Sequence, residues 1–515
     1  MSSIASPSLT LPKTFGDLKA SGYVSRPVKS EIRENLIASL HKGENIFEGI
    51  YGYEDTVVPE MQRAILSRHH ILLLGLRGQA KTRIARMMIR LLDPWLPAVS
   101  GSEMQDDPFN PISPYAKEML FDMGEDTPLE WIAAHDRYVE KLATPDVSVA
   151  DLIGDADPIK AANLKLSYSD ERILHLGLIP RAHRSIFVIN ELPDLQPRIQ
   201  VALFNILQEG DIQIRGFRIR MPLDIQFVFT ANPEDYTQRG SIVTPLKDRI
   251  DSQIITHYPK RIEDSKKITL QEAHPAPAQQ ANINCPDLIH TLIEQIAIEA
   301  RKSDLVDPKS GVSARMTIAA YENLLSTAEL RMLQNGETST QARISDIWGI
   351  LPGITGKVEL VYEGEQEGAA KVARNLIGKA IRQLFIAYFP DPGLQKKKKK
   401  NPSLYQPLLD WFGKGNQVEM GLNLNHHDYL KTLQQVPGLQ AWVEQYIPNL
   451  PEALVPLMME FLLHGLAEFS LIRRDEMSGG GLTFTDMLNS MFGNMDLDLD
   501  SLEQEYGDDP DYNQP

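Results

Sequence analysis

One stretch of this chain reads Gly75-Leu76-Arg77-Gly78-Gln79-Ala80-Lys81-Thr82 and lies between an apolar run, residues 71 to 74, and an amphipathic run, residues 83 to 88. A buried strand, a glycine turn, Lys-Thr and a helix in this order predict a phosphate-binding loop. In such a loop Lys81 reaches the β- and γ-phosphates, and the Thr82 hydroxyl ligates Mg²⁺. The stretch therefore predicts that the chain binds ATP and Mg²⁺.

One position departs from the usual motif, because Ala80 stands where a glycine commonly precedes the lysine. A methyl group restricts backbone angles that glycine leaves free. On this stretch alone, a strand-turn-helix connection that merely contains Lys-Thr is the alternative interpretation. The predicted phosphate-contacting residues are Gly75, Gly78, Gln79, Ala80, Lys81 and Thr82.

Two apolar segments further along the chain end in polar residues. Residues 186 to 189 lead into Asn190-Glu191, and residues 227 to 231 lead into Asn232. The carboxyl ends of parallel strands are where α/β sheets place ligand chemistry. Asn190 and Glu191 fit a site that positions Mg²⁺ and polarises the attacking water, and Asn232 fits an amide that orients water beside the γ-phosphate.

Two arginines follow, Arg249 after Asp248 and Arg315 after Ser313-Ala314. Arginine stabilises the charge that develops on the γ-phosphate during phosphoryl transfer. We therefore expect both arginines to act on the nucleotide.

The order of these signals resembles an AAA+ ATPase of the branch that contains magnesium-chelatase motor subunits and MoxR-type ATPases. The resemblance covers roughly residues 45 to 330 and rests on four segments besides the loop, which are residues 151–155, 177–186, 232–235 and 246–250. In that branch an alanine before the loop lysine is common, so Ala80 agrees with the resemblance.

The resemblance implies a role for each candidate residue. It makes Lys81 and Thr82 the Walker A residues, Asn190 and Glu191 Walker B, Asn232 sensor 1, Arg249 an arginine finger, Arg315 sensor 2, and Gly52 and Tyr53 part of the adenine pocket. The finger would act on ATP that a neighbouring subunit holds, so hydrolysis would require a homo-oligomeric ring, expected to be a hexamer. A partner protein with a von Willebrand factor A domain is also expected.

Asn190 departs from the family, which has an aspartate at that position. Asparagine keeps the oxygen acceptor but loses the negative charge, and Mg²⁺ prefers carboxylates. Because Glu191 is retained, we expect slow hydrolysis. An ATP-binding assembly scaffold with little turnover is one alternative function, and the motor subunit of a genuine magnesium chelatase is another.

The predicted fold class is α/β, an AAA+ αβα sandwich with a mostly parallel sheet, an all-α lid and a mainly helical C-terminal domain. The predicted domains are residues 1–42 (N-terminal extension), 43–260 (nucleotide binding), 261–354 (lid), 355–478 (C-terminal) and 479–515 (Gly-rich, then acidic tail). Lid helices are expected at residues 283–300, 314–325 and 341–351, and a β-hairpin around Gly216 is expected between residues 208 and 222.

Composition narrows the class of protein. The chain has 515 residues, 42% of them hydrophobic, which suffices for several domain cores. Its single cysteine, Cys285, excludes an intramolecular disulfide. A net charge of −17 argues against nucleic-acid binding, and no apolar run is long enough for a membrane span, so a cytoplasmic location is expected.

Two charged segments allow two interpretations each. Lys396 to Lys400 are either a solvated loop or a docking site for an acidic partner. The acidic tail beyond Gly481 is either a solubilising segment or a tether that folds on a partner.

Overall fold

A computed structural model describes residues 11–165, 173–213, 220–233, 241–393, 404–477 and 481–487. The chain divides into two compact units, Met1–Pro259 and Lys260–Pro515. The strands of the first unit are β1 Ile71–Leu74, β2 Trp95–Val99, β3 Leu129–Ala133, β4 Tyr138–Leu142, β5 Gly154–Ala156, β6 Leu174–Leu176, β7 Ser185–Asn190, β8 Asp211–Gln213, β9 Arg220–Pro222, β10 Ile225–Ala231 and β11 Ser252–Ile255.

Helices alternate with these strands along the first unit. The α-helices are α1 Phe15–Ala20, α2 Val28–Lys42, α3 Val57–Leu66, α4 Lys81–Met87, α5 Pro114–Met123, α6 Val149–Leu152, α7 Pro158–Leu164, α8 Leu178–Arg181, α9 Pro197–Glu209 and α10 Thr244–Asp248. Short 3-10 turns are Met88–Leu91, Gly124–Asp126, Ala134–Arg137 and Leu192–Asp194. Local sequence explains the bounds of α9, which begins at a proline and is followed by the capping residue Gly210 with a positive φ of 68°.

The central sheet has the strand order β11-β1-β10-β7-β4, and every neighbouring pair is parallel. Leu74 of β1 lies opposite Ala231 of β10, so these two strands end at the same edge of the sheet. Such an order brings the carboxyl ends of β1, β7 and β10 together. The predicted α/β class with a parallel sheet is confirmed.

Side chains alternate between two cores, one on each face of the sheet. Ile71 and Leu73 pack with α2, α3 and α4, whereas Leu72 packs on the other face with α8 and α9. On β7 the same alternation puts Val188 with the first core and Ile189 with the second. Because side chains alternate with a period of two, both faces of the sheet are apolar and both are covered by helices. This gives the three layers of the sandwich.

Besides the central sheet, the described part of the first unit contains three antiparallel strand pairs, of which β2–β3 is one. β8 pairs with β9, so the predicted hairpin is present, although its expected turn residue Gly216 lies outside the described residues. β5 pairs with β6, and residues 166–172 between them are likewise outside the described part.

Helix α2 belongs to the sandwich core, although it lies in the predicted N-terminal extension. Val28, Ile32 and Leu36 are buried in the same core as β1. Glu31 on this helix accepts two 2.7 Å hydrogen bonds from the guanidinium of the fully buried Arg137. Because an unpaired buried charge is costly, this pair holds α2 against the sheet.

The second unit is mainly helical. Its α-helices are α11 Ile262–Glu272, α12 Pro277–Asn282, α13 Asp287–Lys302, α14 Ala314–Gln334, α15 Leu351–Thr355, α16 Tyr362–Glu367, α17 Ala369–Tyr388, α18 Gln406–Gly413, α19 His426–Gln434, α20 Leu439–Tyr446 and α21 Val455–Glu468, with 3-10 turns Ser345–Ile350 and Glu452–Leu454. Its strands are β12 Ile283–Asn284, β13 Thr340–Gln341, β14 Val418–Gly421, β15 Arg473–Glu476 and β16 Gly481–Thr485.

Two of the predicted lid helices differ from the structure. The helix expected from residue 283 begins only at Asp287, because Ile283–Asn284 pairs with Thr340–Gln341 as two short parallel strands. That pairing also removes the start of the helix expected over residues 341–351, where the structure has the 3-10 turn Ser345–Ile350. Pairing between distant segments overrides local pattern here.

One hydrophobic core runs through the second unit from Ala273 to Phe484. Glu460 of α21 lies within it and accepts hydrogen bonds from the backbone N–H groups of Ile344 and Ser345 at 2.9 and 2.8 Å. Burial raises the pKa of this carboxyl. The division at residue 354 between lid and C-terminal domain therefore stays a prediction, since one core contains parts of both.

Two charged segments considered in the sequence analysis fall outside the described residues. They are the Lys396 to Lys400 run and the acidic tail from residue 488 onward. Among the described residues, no helix is both long enough and apolar enough to cross a membrane.

Candidate functional site

The predicted loop connects β1 to α4 at the carboxyl edge of the sheet. A side chain at Gly75 would overlap the hydroxyl of Thr256 and the side-chain carbonyl of Gln79, so this position requires glycine. Those two groups hydrogen-bond each other at 2.7 Å and tie the loop to the end of β11. Gly78 has a φ of 71°, which glycine adopts without strain.

Ala80 is the residue immediately before α4, and its φ of 58° places it in the left-handed region. This backbone shape costs an alanine about 1 kcal/mol or more relative to glycine. The conformation explains why glycine is common at this position. Ala80 therefore stores strain in the loop.

Replacing Ala80 with glycine is expected to relieve this strain and raise the free energy of unfolding by about 0.5 to 1 kcal/mol. The measurement is the midpoint of urea unfolding. Ala85→Gly in the interior of α4 is the matched control, and it should change the free energy in the opposite direction by about 1 kcal/mol. A lower midpoint for Ala80→Gly would contradict the prediction.

Lys81 is only 7% exposed, and its ammonium group faces oxygen atoms of the loop and of Asn232, the residue after β10. Its Nζ donates to the carbonyl oxygens of Gly75 and Leu76, and to Asn232 Oδ1 at 2.6 Å. Asn232, which is 5% exposed, thus joins the loop to the end of the neighbouring strand.

Asn232 also contacts the predicted water-activating carboxylate. Its Nδ2 donates to Glu191 Oε2 at 2.9 Å, so one amide links Lys81 to Glu191. Glu191 has a φ of 55°, and its backbone N–H donates to Thr230 Oγ1 at 3.1 Å. A residue keeps a strained backbone conformation of this kind only where the surrounding structure holds it in place. Such residues are found most often at functional sites.

Asn190 lies beside Thr82 at the end of β7. Its Oδ1 accepts hydrogen bonds from Thr82 Oγ1 at 3.4 Å and Thr230 Oγ1 at 3.1 Å. Its Nδ2 donates to Glu140 Oε1 of β4 at 2.6 Å. The hydroxyl and amide oxygens are hard donors that suit Mg²⁺, so these residues fit a magnesium site.

Sequence reasoning missed Glu140. It lies within β4, where Tyr138-Val139-Glu140-Lys141-Leu142 mixes charged and apolar residues. That mixture favours an exposed segment, whereas the Glu140 side chain accepts a hydrogen bond from Asn190 on the neighbouring strand. An acidic residue in a strand could have signalled the site only if the strand order had been known.

Tyr53 contacts the loop through its hydroxyl group. It is 4% exposed, and its hydroxyl donates to the carbonyls of Gln79 at 3.0 Å and His257 at 2.6 Å. Burial raises the pKa of Tyr53 to about 12, so the hydroxyl remains a donor. Gly52 precedes it with a φ of 78°. Their place in an adenine pocket stays a prediction.

The two arginines belong to other elements of the chain. Arg249 follows α10, and its guanidinium donates to Gln208 Oε1 at 3.0 Å and to the Pro245 carbonyl at 2.7 Å. Arg315 is an exposed residue in the first turn of α14, in the second unit. Their roles as finger and sensor stay predictions.

The parallel sheet, the loop after β1 and the polar ends of β7 and β10 define the first unit as a P-loop nucleotide-binding domain of the AAA+ type. Two comparisons with known proteins agree with this class. A model of the sigma-54 interaction domain matches residues 164–255.

The chain is similar to the magnesium-chelatase 38 kDa subunits of Cereibacter sphaeroides and Rhodobacter capsulatus. It is 26% identical to the first over 210 residues and to the second over 221 residues. These matches cover 40% and 42% of this chain, and they span 57% of the length of each relative. The predicted resemblance to the AAA+ branch of chelatase and MoxR ATPases is confirmed.

Among solved structures, the chain is similar to a cryo-EM-based complex of the magnesium-chelatase subunits BchI and BchD. That likeness covers 62% of this chain and 97% of the other, at 19% identity and a TM-score of 0.32. Because this score is low, the fold assignment rests on the strand order.

Proposed function

We propose that this chain is a ring-forming ATPase that couples ATP binding and hydrolysis to the remodelling, or metal-insertion maturation, of a partner protein. The observation that carries the proposal is a pair of hydrogen bonds, from Lys81 to Asn232 and from Asn232 to Glu191. It joins a phosphate-binding cation to a base-like carboxylate through an amide that is itself able to orient water.

The residues divide the work of hydrolysis between them. Lys81 binds the β- and γ-phosphates, and Glu191 polarises a water that Asn232 helps to orient. A bound Mg²⁺ would supply positive charge that neutralises the negative charge developing on the phosphates. Thr82 and Asn190 would hold it, since their oxygens face each other at 3.4 Å.

Assembly and partner follow from the family resemblance. Arg249 would act on the ATP of the next subunit, which requires a ring, expected to be a hexamer. Remodelling is expected to involve a partner that carries a von Willebrand factor A domain. A cytoplasmic location fits this work.

A second candidate function is the motor subunit of a genuine magnesium chelatase, which the two curated relatives favour. In an assay of ATP-dependent Mg²⁺ insertion into a porphyrin, the chain would then replace the 38 kDa subunit of Cereibacter sphaeroides. Failure to replace it, together with measurable ATP hydrolysis, would leave partner remodelling as the function.

A third candidate function is a nucleotide-gated scaffold, which the uncharged Asn190 favours. ATP would then drive assembly without turnover. Light scattering during ATP addition, run beside a phosphate-release assay, separates this scaffold from a motor.

Lys81→Ala tests the proposal directly. We expect ATP affinity to fall about 10- to 100-fold, because the hydrogen bonds of a charged donor to the phosphates are lost. The measurement is ATP binding and steady-state hydrolysis by the full chain at millimolar Mg²⁺. Lys117→Ala on α5, an exposed lysine of the same unit, is the matched control. Equal ATP binding by Lys81→Ala and the parent protein would refute the proposal.

A further inference from the structure

Glu140 is an acidic side chain beside the proposed magnesium site that the function described so far does not use. It lies on β4, which pairs with β7 so that Glu140 is opposite Val188 and Leu142 is opposite Asn190. Residues directly opposite each other on paired strands point to the same face of a sheet, and so do residues two positions apart on one strand. Glu140 therefore shares a face with Val188 and Asn190, and this is the face that packs against α4. Its carboxylate reaches along that face to Asn190.

The contact with Glu140 decides how the Asn190 amide is turned. A carboxylate accepts hydrogen bonds and cannot donate them, so Asn190 presents its Nδ2 to Glu140 Oε1 at 2.6 Å. The amide oxygen is then left for the hydroxyls of Thr82 and Thr230. Glu140 thereby turns a metal-binding oxygen toward the residue that ligates Mg²⁺ in a P-loop.

Glu140 also places a negative charge close to Asn190. The position of Asn190 lacks the negative charge that Mg²⁺ prefers, and Glu140 places one carboxylate a single amide away. Arg86 also pairs with Glu140 at 2.8 Å, but its side chain is 62% exposed, whereas that of Glu140 is 21% exposed. Water therefore screens the arginine more than it screens the carboxylate on the side that faces Asn190.

We propose that Glu140 supplies the negative charge of the Mg²⁺ site, in place of the carboxylate that Asn190 lacks, and positions the Asn190 amide oxygen toward Thr82. This inference rests on the proposed function, because it assumes that the loop binds a nucleotide with Mg²⁺. Glu140 is a positioning and charge-supplying residue, since its contact to the metal region runs through Asn190. Carboxylates that orient metal ligands in this way commonly affect metal affinity.

The test measures binding of a fluorescent, non-hydrolysable ATP analogue to the full chain while Mg²⁺ is titrated upward from an EDTA solution. Glu140→Gln is expected to raise the Mg²⁺ concentration for half-maximal effect by about 10- to 100-fold. Affinity in EDTA should stay unchanged, because the loop contacts to phosphate do not involve Glu140. Combining Glu140→Gln with Asn190→Asp moves the carboxylate to β7. The Mg²⁺ concentration for half-maximal effect should then return toward that of the parent protein.

Controls separate the charge from the surrounding structure. Tyr138→Phe removes a 3.2 Å hydrogen bond to Glu140 Oε2 without changing charge, and Glu118→Gln removes a charge on α5; neither should shift the Mg²⁺ titration. Should Glu140→Gln fail to fold, Glu140→Asp keeps the charge and should give a smaller shift in the same direction.

The outcomes are distinguishable. Equal weakening of analogue binding in EDTA and in Mg²⁺ would mean that Glu140 is only structural and would overturn the inference. An unshifted Mg²⁺ titration for Glu140→Gln would overturn it as well, while leaving the proposed ATPase intact. Absence of nucleotide binding by the parent chain would overturn both.

Discussion

Arg249→Ala is expected to lower the steady-state rate of ATP hydrolysis by about 10³- to 10⁵-fold, because an arginine finger stabilises charge that forms only in the transition state. The guanidinium of Arg249 is already held in place by Gln208 and the Pro245 carbonyl, and it lies over the ring of Phe204 at 5.0 Å. ATP affinity should change little, since the finger contributes mainly in the transition state. The rate of phosphate release by the purified chain is the measurement.

A mixing experiment tests whether Arg249 acts on a neighbouring subunit. Subunits with Arg249→Ala keep an intact loop, and subunits with Lys81→Ala keep an intact finger. Mixed rings should therefore regain part of the activity that neither variant has alone. If mixing restores nothing while both variants still assemble, the finger acts within its own subunit or Arg249 is not the finger.

Glu191→Gln is expected to lower turnover by about 10²- to 10⁴-fold, the usual contribution of a general base. ATP binding should persist, because glutamine keeps the oxygen that accepts from Asn232 Nδ2. The measurement compares phosphate release with binding of a fluorescent ATP analogue. Glu118→Gln, which removes an equal charge on α5, is the control and should retain the parent rate.

Two results would contradict the role of Glu191. Turnover equal to the parent would mean that another group polarises the water. Loss of ATP binding together with turnover would mean that Glu191 holds the loop rather than the water, a structural role that its strained backbone also allows.

The local parts of the site were predictable from sequence. A glycine turn between an apolar strand and a helix predicted the loop around Lys81, because backbone geometry there depends on nearby residues. Asn232 and Glu191 were predicted separately, each from an apolar run that ends in a polar residue. Sequence also indicated the α/β class, since strands and helices alternate up to about residue 260.

Contacts between distant strands were not predictable in the same way. The hydrogen bond from Asn190 to Glu140 joins residues 50 positions apart, and it depends on β4 being the neighbour of β7. Likewise, residues 340–341 form a strand only because residues 283–284 lie beside them. A local pattern carries no information about which strand will be adjacent.

The sequence by itself thus determined the loop, the parallel sheet and the polar strand ends, because each follows from local backbone and burial preferences. Only the tertiary structure decided that one amide joins Lys81 to Glu191 and that a carboxylate stands beside Asn190. The physical reason is strand order: burial on both faces selects the strands, but pairing between them sets which side chains meet at the edge.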